Sequence, residues 1–253
     1  MFTMPVMRYE LSARRAATTR PFNVNFFCHL PQTPEAQRDA AWRLALEPYY
    51  REFGLDPQPP VNAASRAPFS QEAAELLAQF RPAVVSFHFG LPSPELLAWV
   101  RGWGAKVLSS ATTVDEARWL EEQGVDAIIA QGAEAGGHRG SFLSADLTTQ
   151  LGTFALVPQV VRAVNRPVIA AGGIADAAGV AAALALGAAA VQIGTSYLLC
   201  PEATTSAVHR AALQSDAAPH TALTNLFSGR PARGIVNRLM RELGPMSNLA
   251  PEF

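Results

Sequence analysis

A repeated strand-then-helix pattern constrains the fold of this 253-residue chain more than any other feature of its sequence. Short apolar runs, each preceded by a polar or Gly/Pro turn, predict strands that are buried on both faces. Segments with helical patterning, several of which open with helix-start residues, separate most of these runs. The predicted strands are 22–27, 83–89, 106–110, 126–131, 167–171 and 189–194, and the predicted helices are 94–103, 113–123, 156–164 and 176–186. This alternation is typical of βαβ units in a parallel α/β fold.

The position of the glycine-rich turns favours a barrel over an open sheet. An open nucleotide-binding sheet normally carries its Gly-rich turn after the first strand. Here such turns follow the last two predicted strands, at Gly172-Gly173 and Gly194-Thr195, as in barrels that bind a phosphate after strands 7 and 8. We therefore predict an α/β fold of the TIM-type (β/α)8 barrel class, with the six predicted strands as strands 3–8. A single domain over residues 1–253 is expected, with long insertions at about 29–80 and 132–155.

Composition excludes several functional classes. With 49% apolar and 16% charged residues the chain is expected to fold, and its net charge of -1 argues against nucleic acid or an anionic membrane as a partner. The two cysteines, Cys28 and Cys200, are too few for a disulfide framework, and neither they nor the acidic residues show metal-ligand spacing. The N-terminal residues lack the pattern of a secretory signal, and no run of 18 apolar residues occurs. A cytoplasmic protein without a catalytic metal is the expectation.

The two Gly-rich turns are candidates for an anion site. Glycine lets the backbone approach an anion closely, and N–H groups at a helix start point toward it. Thr195 would add a hydroxyl donor. One such turn alone is equally well explained as an ordinary tight turn at the end of a strand. Two turns after adjacent final strands favour a phosphate site.

The segment 134–140, which reads EAGGHRG, is a second candidate. Its small residues would allow His138 to lie over a ligand, and imidazole is the side chain best suited to proton transfer near neutral pH. The alternative is a solvent loop with a bystander histidine, although active sites of barrels lie at the C-terminal ends of strands. His88 ends another predicted strand and either faces the barrel mouth or is a structural histidine. Residues 221–234 either close over the site or cap the barrel.

Six segments, taken together, resemble a known family. They read NVNFFCH, VVSFHFG, QGAEAGGHRG, PVIAAGGIAD, VQIGTSYLLCPEA and TNLFSGRPARG. The combination is similar to the class I nitronate monooxygenases, formerly called 2-nitropropane dioxygenases, and the resemblance extends from about residue 8 to residue 253. It implies a barrel that binds FMN and oxidises alkyl nitronates of the propionate 3-nitronate type with O2. The implied partners are a small nitronate or nitroalkane and O2, and the implied protein is a monomer or a homodimer.

The resemblance also implies roles for particular residues. His138 matches the family's catalytic histidine, which removes the α-proton when the substrate is a neutral nitroalkane, and His88 matches a second histidine that lines the pocket. Flavin contacts are implied for Asn25 (or its neighbour Asn23), Gln131 and Gly136. The FMN phosphate and ribityl site is implied at Gly172, Gly173, Gln192, Ile193, Gly194 and Thr195.

Departures from the family pattern leave three hypotheses. Family chains begin with a strand and a Gly-rich loop, followed by a second strand, and continue past the equivalent of the last residue here. This sequence is expected to lack these parts. The chain is then a nitronate monooxygenase, an NAD(P)H-dependent flavin reductase of the quinone or enoyl type, or an inactive, shortened barrel. A visible flavin spectrum separates the third hypothesis from the others, and flavin bleaching by NADH without a nitro compound favours the second.

Overall fold

The structure, a computed structural model, describes residues 3–30, 35–56 and 67–252. The chain divides into two compact units. The first, which we call the sheet unit, comprises Met1–Leu30, Ala67–Ala135 and Gly140–Tyr197. The second, which we call the hairpin unit, comprises Pro31–Arg66, Gly136–Arg139 and Leu198–Phe253.

Nine strands and nine α-helices lie in the described residues. The strands are β1 (Asn23–Phe27), β2 (Val84–His88), β3 (Lys106–Ala111), β4 (Ala127–Gln131), β5 (Gly137–His138), β6 (Val168–Ala171), β7 (Ala190–Gln192), β8 (Thr221–Thr224) and β9 (Ala232–Ile235). The helices are α1 (Met4–Ala17), α2 (Ala36–Glu52), α3 (Gln71–Phe80), α4 (Pro94–Gly102), α5 (Val114–Glu122), α6 (Thr153–Ala163), α7 (Ala177–Ala185), α8 (Ala207–Leu213) and α9 (Arg238–Leu243). All six predicted strands and all four predicted helices are confirmed, to within a few residues at their ends.

The sheet unit is built on one parallel sheet with the strand order β1-β2-β3-β4-β6-β7. Every neighbouring pair in this order is parallel, and β4 pairs directly with β6. At least one helix lies between successive strands along the chain, which is the arrangement of βα units. The sheet is curled and forms a six-stranded part of a TIM-type barrel, so the predicted fold class is confirmed.

Aliphatic side chains from the strands and the helices form the core of the sheet unit. The apolar runs of β2, β3, β4 and β6 provide most of the strand side of this core, whereas alternate positions of β1 and β7 are exposed. Its fully buried members include Leu77, Val85, Val100, Val107, Leu120, Ile128, Leu156, Val157 and Val160.

Two helix starts follow the chemistry that the sequence predicts. Ser93 precedes Pro94 at the start of α4, and its Oγ accepts a hydrogen bond from the backbone N of Leu96 at 3.4 Å. Thr113 precedes α5, and its Oγ1 accepts from the backbone N of Glu116 at 3.2 Å. Such caps satisfy backbone donors that have no partner within the first turn. Of the helices in the described residues, none is long and apolar enough to cross a membrane.

The hairpin unit contains a three-stranded sheet that the sequence did not predict. Strands β8 and β9 form an antiparallel hairpin, and β5 pairs antiparallel with β9. These strands have only two to four residues each. Two lie among the turn-forming residues of 221–234 and one lies within EAGGHRG, so no apolar periodicity marks them.

Regular elements occupy much of the two predicted insertions. The interval 29–80 contains α2 and α3, and the interval 132–155 contains β5, a short 3₁₀ helix at Leu147–Thr149 and the first residues of α6. The Pro-rich stretch of the first interval falls largely on residues 57–66, which lie outside the described residues.

We expect Leu120→Ala to lower the free energy of unfolding by about 2–5 kcal/mol, because the substitution leaves a cavity at a fully buried position of α5. The matched control is Leu184→Ala on α7, whose side chain is 47% exposed and whose loss is expected to cost less than about 0.5 kcal/mol. Urea unfolding followed by circular dichroism measures both. Equal losses for the two variants would contradict this core.

An ion-pair network between α2 and α9 makes the stability of the hairpin unit pH-dependent. The guanidinium of Arg238 lies 2.6 Å from a carboxylate oxygen of Glu52 and 2.7 Å from one of Glu242. Hydrogen bonds from Arg238 lower the pKa of both carboxyl groups. A lowered pKa in the folded state means that the stabilisation is present above the ordinary value of 4.5 and is lost as the pH falls through the lowered value.

We therefore expect Arg238→Gln to lower the melting temperature at pH 7 by a small amount, since the partners are exposed. The difference from the parent chain should shrink as the pH falls through the lowered pKa values of the two carboxyl groups, because a protonated carboxyl group no longer pairs with the guanidinium. Thermal unfolding from pH 3 to pH 7 tests this, with Arg14→Gln on the exposed surface of α1 as the control for a changed net charge. A difference that is independent of pH would count against the network.

Candidate active site

The carboxyl ends of the six parallel strands lie along one edge of the sheet in the sheet unit. The register pairs Phe27 with His88 at the ends of β1 and β2, and Ala171 with Gln192 at the ends of β6 and β7. Active sites of barrels lie at this edge. The predicted site residues at or directly after these strand ends are His88, Gln131, Gly172, Gly173, Gln192, Ile193, Gly194 and Thr195, and Asn25 lies two positions before the end of β1.

His88 is fixed by contacts from several segments of the sheet unit. Its Nδ1 lies 2.5 Å from Oγ of Ser110 in β3. Its ring centroid is 5.6 Å from that of Phe27 and 4.7 Å from that of Phe89. The backbone of Gly140 lies against the imidazole, since a Cβ at this glycine would be 2.6 Å from Cε1. These contacts give the ring one orientation at the carboxyl end of β2.

Gln131 holds the same glycine from the end of β4. Its Oε1 accepts a hydrogen bond from the backbone N of Gly140 at 2.8 Å, and both residues are buried. Gly140 therefore lies between the side chains of Gln131 and His88. Only a residue without a side chain permits this approach, which explains the last glycine of the EAGGHRG segment.

A serine orients the amide of Asn25. The hydroxyl of Ser86 in β2 accepts a hydrogen bond from Nδ2 of Asn23 at 2.7 Å and donates one to Oδ1 of Asn25 at 2.8 Å. Because Oδ1 of Asn25 is used in this way, the exposed side chain offers its N–H groups as donors. Both asparagines are exposed, and Ser86 holds their two amides beside each other.

Gly172 forms a tight turn at the end of β6, which is the alternative to anion binding given in the sequence analysis. Its φ is +117°, and a Cβ on it would lie 2.9 Å from the backbone N of Ala135 and from Oγ1 of Thr153. The backbone N of Thr153 donates to Glu134 at 2.8 Å, so this carboxylate caps α6 in place of Gly152, which has no side chain. The turn after β6 is therefore closely packed.

The turn after β7 is open by comparison. A Cβ on Gly194 would have no atom within 4 Å. Thr195 begins a short 3₁₀ helix, Thr195–Leu199. Since Ala171 and Gln192 are paired, this open turn and the packed turn leave adjacent strands at the same edge. Gly173, with a φ of +67°, is the residue of the packed turn that follows Gly172.

His138 belongs to the hairpin unit, as does Gly136. In β5 its backbone is paired with that of Ala232 in β9. Its Nε2 lies 2.7 Å from Oγ of Ser228, in the turn between β8 and β9. The segment 221–234, for which the sequence left two roles open, thus forms a hairpin that carries the histidine.

The sequence missed a buried carboxylate that fixes the chain after Gly140. Glu116 of α5 is 1% exposed. One of its oxygens accepts from the backbone N of Thr112 at 2.6 Å and from its hydroxyl at 2.7 Å. The other accepts from the backbone N of Phe142 at 2.7 Å and of Leu143 at 3.2 Å. The helix-start pattern at Thr113 places Glu116 in the first turn of α5, but it does not indicate that this side chain is buried.

The described residues provide no group of three or more His, Cys, Asp or Glu side chains that could hold a metal ion. Burial raises the pKa of the Cys28 thiol well above its ordinary value. A thiol in this state is protonated at neutral pH and is a poor nucleophile and metal ligand.

We expect Gly140→Ala to displace the His88 imidazole and to destabilise the fold by about 1–3 kcal/mol, because an added Cβ would overlap a ring held by its neighbours. The φ of Gly140 is not in the left-handed region, so the backbone itself accepts alanine. Gly102→Ala, where a Cβ would have no atom within 4 Å, is the matched control. The shift of the His88 ring signals in NMR spectra and the urea midpoint measure the effect. Unchanged His88 signals would contradict the contact.

Comparison with known proteins connects this geometry to a family. A curated nitronate monooxygenase from Pseudomonas aeruginosa PAO1 is 46% identical over 228 residues, which are 89% of this chain and 64% of the relative. The solved structure of a nitroalkane oxidase from Streptomyces ansochromogenes superposes with a TM-score of 0.87 at 39% identity, over 98% of this chain and 70% of the other. FabK from Thermotoga maritima superposes with a TM-score of 0.69 at 29% identity, over 96% of this chain and 63% of the other.

The chain therefore spans a little under two thirds of the length of the curated relative that it matches. The family model for nitronate monooxygenase matches residues 2–251, which is nearly the whole chain. The motifs that the sequence shares with this family lie at the carboxyl ends of the parallel strands and in the hairpin that carries His138. On these grounds, the chain belongs to the nitronate monooxygenase family.

Proposed function

We propose that this protein binds FMN and oxidises alkyl nitronates, of the propionate 3-nitronate type, with O2. The observation that carries the proposal is the family match over residues 2–251. It is supported by 46% identity to a protein named nitronate monooxygenase and by the similarity to a nitroalkane oxidase structure.

The residues at the sheet edge fit a bound FMN. Gly173, Gly194 and Thr195 follow adjacent parallel strands, and the space beside Gly194 is open, so backbone N–H groups and a threonine hydroxyl would hold the phosphate. Asn25, with Oδ1 committed to Ser86, would donate N–H groups to acceptor atoms of the flavin. When bound, FMN supplies the electron acceptor for the nitronate.

The two histidines take different roles in the proposal. A nitronate is an anion, and the imidazole of His88, which Ser110 orients through Nδ1, would attract its nitro oxygens when the ring is protonated. A neutral nitroalkane must first lose its α-proton. His138 is the base that would take this proton. Only the second role is dispensable when the substrate is already a nitronate.

We expect His138→Asn to lower kcat/KM for a neutral nitroalkane by about 10²- to 10⁴-fold, the range of a lost general base. The value for the preformed nitronate should fall by less than about tenfold, because no proton is removed from carbon. Oxygen consumption by the full chain with added FMN, measured with each substrate, checks both values. Equal losses for the two substrates would remove His138 from the role of base.

Binding of FMN can be measured separately from turnover of a substrate. The purified chain is expected to bind FMN stoichiometrically, with a shifted visible spectrum and quenched flavin fluorescence on titration. Gly194→Trp should weaken this binding by tenfold or more, because the new ring fills the open space at the turn. A chain that does not bind FMN at micromolar concentration would contradict the proposal.

An NAD(P)H-dependent flavin reductase is the second candidate. The observation that favours it is the similarity in fold to FabK from Thermotoga maritima. Anaerobic mixing of the FMN-loaded chain with NADH distinguishes the candidates. Bleaching of the flavin without a nitro compound would support the reductase, whereas bleaching only by nitronate supports the proposed oxidation.

A further inference from the structure

A hydroxyl at the start of α6 holds the turn that follows β6. Oγ1 of Thr153 lies 2.9 Å from the carbonyl oxygen of Gly172 and 2.9 Å from a carboxylate oxygen of Glu134, so its one proton is shared between two acceptors. The carboxylate has a second donor in the backbone N of Thr153, at 2.8 Å. Within the described residues, the hydroxyl is the only hydrogen-bond donor to the Gly172 carbonyl. The direction of this carbonyl therefore depends on Thr153, which is 5% exposed.

The same contact sets the direction of the next N–H group. The carbonyl of Gly172 and the N–H of Gly173 belong to one peptide, and a trans peptide directs these two groups to opposite sides. The described residues include no cis peptide bond. Thr153 lies on the β4 side, because its side chain is so close to Gly132, directly after β4, that a Cβ on this glycine would overlap it. Since β6 lies between β4 and β7, the N–H of Gly173 is directed away from β4, toward the β7 side.

A glycine at position 172 permits this arrangement. The carbonyl of the preceding residue, Ala171, also faces β4 and accepts from the backbone N of Gly132 at 2.9 Å. In an extended strand successive carbonyls point to opposite sides, so an extended residue 172 would direct its carbonyl toward β7. The φ of +117° at Gly172 interrupts this alternation, and two successive carbonyls face β4. The closely packed turn thus leaves an N–H group, rather than a carbonyl, on the β7 side.

From this geometry we propose that Thr153 is the positioning residue of the FMN phosphate site. Its hydroxyl holds the Gly172 carbonyl away from the phosphate and directs the N–H of Gly173 toward it. The proposal rests on the proposed function, and it adds a residue that acts on the phosphate through the backbone of the turn.

The surroundings of the Gly173 N–H suit this role. Gly173 is exposed, and its N–H has no acceptor within the part of the chain that the structure describes. The open turn at Gly194 follows the adjacent strand, β7. A donor that is fixed before the anion arrives needs no reorganisation on binding. A peptide that turned freely would also present its carbonyl oxygen, which repels a phosphate.

Two flavins that differ only in the phosphate test the proposal at equilibrium. FMN carries the phosphate and riboflavin does not, so the ratio of their dissociation constants isolates interactions with this group. Thr153→Ala should weaken FMN binding by about tenfold, the scale of one hydrogen bond to a charged group, with riboflavin binding within about twofold of the parent. A general loss of packing would weaken the binding of both flavins. Thr153→Ser, which keeps the hydroxyl, should restore the FMN value. Fluorescence titration of the full chain measures each constant.

Thr149→Ala is the matched control for a lost threonine hydroxyl. This hydroxyl donates to the carbonyl oxygen of Asp146 at 2.7 Å, on the exposed surface of the same unit. The variant should match the parent chain for both flavins. An unchanged ratio of the two constants in Thr153→Ala, or a loss of affinity by the same factor for both flavins, would overturn the positioning role.

The shifts of one peptide test the contact without any ligand. The chain contains two Gly-Gly pairs, 136–137 and 172–173, so glycine labelled with ¹⁵N and with ¹³C in its carbonyl gives two signals in an HNCO spectrum. Gly136→Ala removes one pair and thereby assigns both signals. Thr153→Ala should move the 172–173 signal, because its carbonyl loses a hydrogen bond, while the 136–137 signal is the internal reference. Thr153→Ser should keep it near the parent position. Coincident 172–173 signals for the parent and Thr153→Ala would overturn the proposal.

The flavin titrations also separate failure of this inference from failure of the proposed function. A parent chain that prefers FMN to riboflavin, together with a Thr153→Ala variant that keeps the same preference, would reject the positioning role alone. A parent chain that binds both flavins equally would reject the phosphate site to which the role belongs. A parent chain that binds neither flavin would reject the proposed function and this role with it.

Discussion

The parallel pairing of six strands is the constraint on which the rest of the structure depends. Parallel strands end at the same edge, so residues that are far apart in sequence become neighbours there without any further device. The pairing of Phe27 with His88 and of Ala171 with Gln192 shows this at both sides of the sheet. The core of buried aliphatic side chains, contributed by the strands and by the helices that cover them, holds this sheet together.

Carboxylates and hydroxyls then tie the connecting segments to this framework. Glu116 accepts four hydrogen bonds from two segments, and Glu134 caps α6 through Thr153. A buried carboxylate with this many donors keeps its partners in place, because each lost bond would leave a polar group without water. These acidic residues therefore position the turns around the candidate site, and the proposed chemistry uses the histidines.

Each of the two histidines in the proposal has a serine partner, in different settings. Ser110 lies beside His88 in the parallel sheet, and Ser228 lies beside His138 in the antiparallel hairpin. The first contact combines with aromatic neighbours and Gly140 to give a closely held ring. The contact between Ser228 and His138 depends on the turn between β8 and β9, which carries Ser228. The two histidines are therefore oriented independently, each by contacts within its own unit.

The sequence by itself determined the six parallel strands, the barrel class and the positions of His88 and Gln131 at strand ends. Burial on both faces demands continuous apolar runs, and the chain order of strands and helices follows from these runs. It also determined the family, through motifs that cover most of the chain. The site partners could not be predicted in this way. The contacts of Ser110 and Ser228 join residues 22 and 90 positions apart, and such pairs leave no local pattern. Only the tertiary structure decided them, because side-chain partners are set by which backbones the fold brings within hydrogen-bond distance.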